Sequence, residues 1–375
     1  MTNGHFFERR TAQSQIKSTI VAKYLTAWAN IMMAKNQHRK DRRIAYIDLF
    51  CGPGRYEDGS ESTPLEVLRE AIASPGMKRN LVTIFNDKNS EFVQALQSEV
   101  ALLSGVDQLG HSPGFSTFEV DRTISYELGN QSLIPSLVFV DPWGYKGLAL
   151  DLIENILKHW GCEVIFFFNY NRVNLGINNH LVEEYMSQLF GPKLLPQLQK
   201  DLVMANPEQR QSRIIEGITN AIRSSGGRYI AMFEFKGSKG QRTSHYIIFA
   251  SKKFIGYHVM KDIMFKESSG VGDVREFHYT PLTVHQAHLL LEPEKTYSIA
   301  ALKLLLTRSC KGQTGSVWQF YESHSVDTPY TLRNFQDAML QLEVEKRLTV
   351  LGSSKRPRKN GNLTLGKDRQ VTFNP

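Results

Sequence analysis

The chain has 375 residues, 41% hydrophobic and 22% charged, too long for one ordinary core and suited to a large domain with a smaller companion. Its formal charge of +8 points to polyanionic partners, and 13 Lys and Arg against 8 Asp and Glu in residues 290–375 make the C-terminal part the expected contact. Cys51, Cys162 and Cys310 are too widely spaced for a disulfide framework or a C-x-x-C metal site, and His285 with His288 lacks further ligands nearby, so no metal is expected.

Arg9 and Arg10 are followed by no apolar stretch, and no run approaches the roughly 18 apolar residues of a membrane span. A cytoplasmic location without membrane contact is expected. From Ser14 to about Lys35, the residues Ile16, Ile20, Tyr24, Leu25, Trp28, Ile31 and Met32 recur at three- and four-residue intervals, which predicts an amphipathic helix. Lys35, Arg39, Lys40, Arg42 and Arg43 then lead into the first strand, and read equally as a phosphate-binding rim and as a solvated helix end.

Ile44 to Phe50 is an apolar run with one acid, the pattern of a strand buried on both faces of a parallel sheet. Gly52 and Gly54 follow at once and let the backbone turn sharply against a ligand at the strand's carboxyl end. Glu57 stands where the dinucleotide fingerprint needs a third glycine, and no G-x-x-x-x-G-K-[ST] occurs. Hydride chemistry and a triphosphate cradle are thereby disfavoured. S-adenosylmethionine has no phosphates, and its ammonium and carboxylate groups suit an acidic strand end followed by G-x-G; it is the expected cofactor.

Pro64 to about Ala73 reads as a helix with Thr63 as N-cap. Leu81 to Phe85 is a strand closing on Asn86-Asp87, Ser90 to Leu103 a helix, and Phe115 to Val120 a strand ending at Asp121. Ser136 to Val140 ends in Asp141-Pro142-Trp143-Gly144-Tyr145; a helix from Leu150 to Lys158 leads to a fifth strand, Glu163 to Phe168. Residues 173–226 form a helical insertion, read as a substrate lid or as plain helical packing. Tyr229 to Phe235 and His245 to Ala250 make a hairpin around a basic loop, with a helix near Phe254 to Phe265. The expected fold class is α/β, a Rossmann-like seven-stranded class I methyltransferase core over residues 1–267.

Residues 268–290 read as a linker and 291–375 as a winged helix-turn-helix domain. Its helices are Ser298 to Leu306, Thr314 to Glu322 and Thr331 to about Lys346; its short strands are Leu348 to Leu351 and Gln370 to Phe373. In such a domain the third helix enters the major groove and the wing lies on the backbone. Arg333, Asn334 and Gln341 on that helix, with Lys355, Arg356, Arg358 and Lys359 in the wing, are the candidate nucleic-acid contacts. A three-helix interaction module with a solvated tail has the same pattern.

Three acids close successive strands. Asp48, with Phe50, Gly52 and Gly54, is placed for the methionine end of the cofactor, Asp87 for the ribose hydroxyls and Asp121 for the adenine amino group. Single strand-end aspartates are commonly helix caps; three in order point to a site. At the fourth strand, the Asp141 carboxylate and the Pro142 carbonyl can hold the two hydrogens of an acceptor amine, and Trp143 or Tyr145 can stack against an extruded base. Amino methyltransferases of nucleic acids show [DNS]-P-P-[YFW]; here Trp143 replaces the second proline and Tyr145 supplies a ring one residue late.

Tyr46 to Tyr56 with Asp58-Gly59-Ser60, Phe85-Asn86-Asp87, Phe139 to Gly147 and Met260-Lys261-Asp262-Ile263-Met264 together resemble the three-Cys-motif partner (TcmP) proteins, over roughly residues 15–350. That resemblance implies an S-adenosylmethionine-dependent methyltransferase-like fold with a C-terminal winged helix, and a protein partner bearing a three-Cys motif, similar to radical S-adenosylmethionine enzymes. The expected activity is methyl transfer to nucleic acid, DNA or RNA, at the amino group of a base. Alternatives are a non-catalytic partner subunit that binds cofactor or nucleic acid, and a methyltransferase acting on a protein or small molecule.

Overall fold

The computed structural model describes residues 9–142, 144–237, 242–281, 297–352, 358–359 and 362–375. The chain divides at Ile263/Met264 into two compact units. Among the described residues, no helix is long and apolar enough to cross a membrane.

The first unit is built on seven strands: β1 (Ile44–Asp48), β2 (Leu81–Asn86), β3 (Gly114–Ser116), β4 (Ser136–Val140), β5 (Glu163–Phe168), β6 (Tyr229–Lys236) and β7 (Thr243–Ser251). They lie in the order β3-β2-β1-β4-β5-β7-β6, with β7 antiparallel to both neighbours and the other pairs parallel. Such an order puts a topological switch point between β1 and β4, where open α/β sheets leave a crevice at the strands' carboxyl ends. Every residue of β1 and β4 is buried, as expected for strands covered on both faces.

One sheet face carries α1 (Ala12–Asn36) and α2 (Thr63–Ala73). The buried stripe of α1 holds Ile20, Val21, Tyr24, Leu25, Trp28 and Met32, and it also holds Lys17 and Ser18. The cap of α2 differs from the expected one: Ser62 is the N-cap residue and Thr63 the first helical residue, its hydroxyl 2.9 Å from that of Ser18. Then come α3 (Pro75–Asn80), α4 (Ser90–Ala101), α5 (Arg122–Asn130) and α6 (Leu150–Leu157). The third strand stops at Ser116 rather than Val120, and the sequence reading left α5 out.

The insertion is α7 (Tyr170–Gly176), α8 (Glu183–Phe190), α9 (Leu195–Leu202) and α10 (Pro207–Ser224), the last opened by an Asn206/Gln209 capping box. It is tied to the last hairpin. Gln211 Nε2, with two N–H groups, lies 2.9, 2.7 and 2.6 Å from Glu234 Oε1, Thr243 Oγ1 and the Tyr246 hydroxyl. These bonds hold α10 against the hairpin. Helix α11 (Phe254–Glu267) leads out of the unit.

At the amino edge of the sheet, Glu163 is buried, accepting hydrogen bonds from the Tyr24 hydroxyl at 2.5 Å and the Ser251 hydroxyl at 2.7 Å. Burial pushes its carboxyl up to about 7 against those two bonds. A raised acid makes the folded state the better proton binder, so this stability is present below the ordinary carboxyl range and is lost as pH rises through about 7. Glu163→Gln is expected to flatten folding stability against pH over that window and to raise it at pH 8, by about 3 kcal/mol at most. A parallel pH curve for the two proteins would contradict it.

The second unit contains β8 (His278–Tyr279), α12 (Ile299–Ser309), β9 (Thr314–Ser316), α13 (Val317–His324), α14 (Leu332–Val344), β10 (Leu348–Val350), β11 (Arg358–Lys359), β12 (Asn362–Leu363) and β13 (Gln370–Phe373). Three helices pack around Leu302, Leu306, Phe320, Tyr321, Phe335 and Met339, beside an antiparallel sheet in the order β10-β13-β9 and the β11–β12 ribbon. Thr314–Ser316, read as the start of the second helix, instead pairs with β13.

Candidate functional site

The turn after β1 is fixed by backbone geometry. Gly52 and Gly54 have φ of 63° and 86°, a region that favours glycine, and a Cβ at Gly54 would lie 2.6 Å from Leu96 Cδ1. A small hairpin follows, closed by Tyr56 N to Ser60 O at 2.9 Å and Ser62 N to Gly54 O at 2.8 Å. Arg55 pins it to Glu99 and to the Gly59 carbonyl at 2.9 and 2.7 Å.

Asn86 latches the neighbouring strand ends. Its amide donates to the Leu49 and Phe118 carbonyls at 3.1 and 2.9 Å, and its Oδ1 accepts from Phe118 N and the Ser116 hydroxyl, each at 2.9 Å. Asp87 accepts from Gly52 N at 3.1 Å on one oxygen and from Asn89 N at 2.9 Å on the other. Each oxygen has a second lone pair, so the carboxylate both supports the glycine turn and retains capacity for a ligand. Phe50 reaches the loop after β4: a Cβ at Gly147 would sit 2.7 Å from its Cζ and 3.3 Å from the Val120 carbonyl.

Asp48 is 1% exposed. It shares a sheet face with Tyr46, whose hydroxyl lies 3.4 Å from Oδ2, and accepts from Phe50 N at 3.1 Å. Burial pushes its carboxyl up to about 8; the Phe50 bond and Lys17 oppose this, while Asp141 and Asp87 reinforce it. Lys17, reaching in from α1, forms an ion pair and hydrogen bond with Asp141 Oδ2. The side chains are 9% and 20% exposed. Burial opposes the Lys17 charge, but Asp141, Tyr56 and Asp48 outweigh it and hold the ammonium above its ordinary value.

Next to Lys17 stands an aromatic wall. Its ammonium is 5.2 Å from the Phe167 centroid, and His245 sits 4.5 Å from Phe167 and 4.6 Å from Phe235. Burial, then the Lys17 charge, push His245 down to about 3, so its ring is neutral at pH 7. Tyr145 faces the insertion, 5.8 Å from the Tyr185 ring, and Pro142 is buried. Trp143 lies outside the described residues.

Sheet topology and side-chain bonds thus gather Asp48, Phe50, Gly52, Gly54, Asp87 and Asp141 at one edge. Asp121 departs from its expected place at a strand end: it is the N-cap of α5, its Oδ1 accepting from Thr123 N and Ile124 N at 2.8 and 3.2 Å. Asn334, expected on an exposed helix face, is 1% exposed. Its Oδ1 accepts from Thr331 N at 2.8 Å and its amide donates to the Asp273 carbonyl at 2.5 Å, so it fastens the start of α14. Arg333 is exposed, with Asp337 3.7 Å away. Arg358 and Lys359 form β11; Lys355, Arg356, His285 and His288 lie outside the described residues.

Lys17, Asn86 and His245 were missed in sequence. Lys17 carried a signal, standing three residues before Ile20 on an otherwise apolar stripe.

The donor set fits S-adenosylmethionine: a buried acid at a strand end, a glycine turn with positive φ, and a second acid with spare acceptor capacity. Residues 279–355 match the family described as GMT-like wHTH domain. No curated protein matches the chain. Similar solved structures include the DszA carbon methyltransferase (12% identity, TM-score 0.40, 65% of this chain and 56% of that one), so the likeness spans little more than half of that protein. The arsenic(III) S-adenosylmethionine methyltransferase CrArsM from Chlamydomonas reinhardtii is 14% identical, TM-score 0.32, over 56% of this chain and 63% of that one. A human methyltransferase 10 domain containing protein is 9% identical, TM-score 0.32, over 65% and 85%. The chain carries a Rossmann-like α/β sheet with its switch point between β1 and β4, and residues 279–355 match the GMT-like winged helix-turn-helix family.

Proposed function

We propose that the first unit binds S-adenosylmethionine at the carboxyl edge of its sheet and transfers a methyl group to an amino nitrogen of a nucleic-acid base. What carries this reading is the convergence of Asp48, Asp87 and Asp141 around the Gly52–Gly54 turn, with one oxygen of Asp141 held by Lys17. S-adenosylmethionine supplies an electrophilic methyl on a sulfonium. Asp48, Phe50, Gly52, Gly54 and Asp87 would hold it, and Asp121, engaged as a helix cap, contributes through its second oxygen. Asp141 Oδ1 receives no hydrogen bond from the described residues and is available to an acceptor N–H, orienting the nitrogen lone pair. Pro142, Trp143 and Tyr145 would complete that pocket.

The winged helix would place the nucleic acid through Arg333 and through Lys355, Arg356, Arg358 and Lys359. The resemblance to three-Cys-motif partner proteins adds a protein partner with a three-Cys motif. A second reading, a binding subunit without transfer, is favoured by the same ion pair, because Lys17 already neutralises the acid an amine would use.

One experiment separates them: incubation with labelled donor and DNA, RNA and protein fractions, followed by product analysis. The expected result is label in a nucleic-acid fraction, reduced about 100-fold by Asp141→Asn with donor affinity changed less than about tenfold. Undiminished transfer in that variant removes Asp141 from the mechanism. Donor binding without product from any fraction leaves the binding subunit.

A further inference from the structure

The edge of the sheet opposite the candidate site collects positive charge. Lys35, Arg39 and Lys40 stand at the end of α1 and in the turn after it, Arg42 stands just before β1, and all four are exposed. Topology adds three more. Because β7 is antiparallel to β5, its end meets the start of β5, with Ala250 opposite Val164 and Lys252 and Lys253 just beyond. Tyr229 opens β6 opposite Ser251, which sets exposed Arg228 beside them.

Side-chain contacts join these pieces into one surface. The Arg39 guanidinium lies 4.4 Å over the Trp160 ring, and Lys252 Nζ donates to the carbonyl of adjacent His159 at 2.8 Å. Trp160 is 45% exposed. The carboxylate in the same stretch, Asp41, is engaged by Arg43 at 2.8 Å and does not offset the others. From β1 to β6 there are four interstrand gaps of about 4.8 Å, roughly 19 Å in all. Seven cations lie along it, so a strand crossing this edge meets several of them at once.

We propose that this amino-edge surface binds single-stranded nucleic acid, its cations on the phosphates and Trp160 against a base. An exposed indole among arginines and lysines is the combination that holds unpaired strands with little sequence preference. A duplex would use the cations and leave the indole idle, since its bases are stacked inside the helix. A strand docked here lies at the opposite edge of the sheet from Asp48, Asp87 and Asp141. This inference stands apart from the methyl-transfer reading.

The test is fluorescence anisotropy of the full chain with a labelled single strand of about a dozen nucleotides, the matching duplex, and phosphatidylcholine/phosphatidylserine vesicles, across a salt series. With about five phosphates contacted, log affinity is expected to fall with log salt at a slope of about −3.5. Arg39→Glu with Lys40→Glu, and separately Arg228→Glu with Lys253→Glu, make that slope shallower by about 1.4, at about 0.7 per contact. Trp160→Ala weakens the single strand about tenfold and leaves the duplex unchanged. Unchanged slopes in both charge-reversed pairs overturn the proposal. So does duplex affinity that falls with Trp160→Ala as much as single-strand affinity does, or vesicle binding that alone responds to these variants.

Discussion

Asp48→Asn is expected to remove the largest pH dependence in the first unit. The Asp48 carboxyl stands at about 8 because it is buried, with Asp141 and Asp87 as like charges; the Phe50 amide and Lys17 oppose these effects only in part. The sign follows from proton linkage. The folded state binds a proton that the unfolded carboxyl releases near pH 4, so folding stability is highest at the acidic end and falls as pH rises to about 8. The upper limit is on the order of 5 kcal/mol, from about four pH units at ~1.4 kcal/mol each. Asparagine keeps the shape without the charge, so the variant should melt higher than the parent above pH 8 and about equally near pH 4. The proposed donor brings a sulfonium and an ammonium, both favouring ionised Asp48. Donor affinity is therefore expected to rise up to about tenfold per pH unit below about 8 and to level off above it. Calorimetry in two buffers of different ionisation enthalpy reads the released proton directly; equal apparent enthalpies would show that Asp48 does not titrate on binding.

Asp141→Ala is expected to cost about 3 kcal/mol, because it strands the Lys17 ammonium with 9% of its side chain exposed. For a unit of this size that lowers its melting temperature by roughly 6–10 °C. Lys17→Met should cost less, since the Asp141 side chain keeps 20% exposure and is partly solvated. The double variant Lys17→Met with Asp141→Leu, which removes both charges and keeps apolar volume, should recover most of the loss. A double-mutant cycle measures the coupling. Additive single effects would mean that the pair contributes nothing to the fold, and that Lys17 sits beside Asp141 without holding it.

Much of the architecture was legible because apolar runs in a parallel sheet have sharp ends. Ser136–Val140, Glu163–Phe168 and Gln370–Phe373 fall where the sequence pattern placed them. The third strand did not, and the reason is a side chain. Asn86 offers both of its polar ends to Phe118, so the chain beyond Ser116 bonds to an amide group instead of continuing the ladder. Asp121 was thereby released to cap a helix. Asn334 was misplaced for a related reason, since Thr331 and Asn334 form a capping box, which turns a polar residue inward. The short β9 escaped because three residues, Thr314–Ser316, have no period to read. Lys17 was hidden by distance: its partner lies 124 positions along the chain, beyond any local pattern.

Helix α1, which carries Lys17, leaves the ribosome well before the fourth strand, which brings the carboxylate it meets. A nascent chain on the ribosome can therefore lay down α1, the glycine turn and β2 while this part of the crevice is still one-sided. Under the proposed donor-binding reading, the crevice is completed only when an early segment meets a late one.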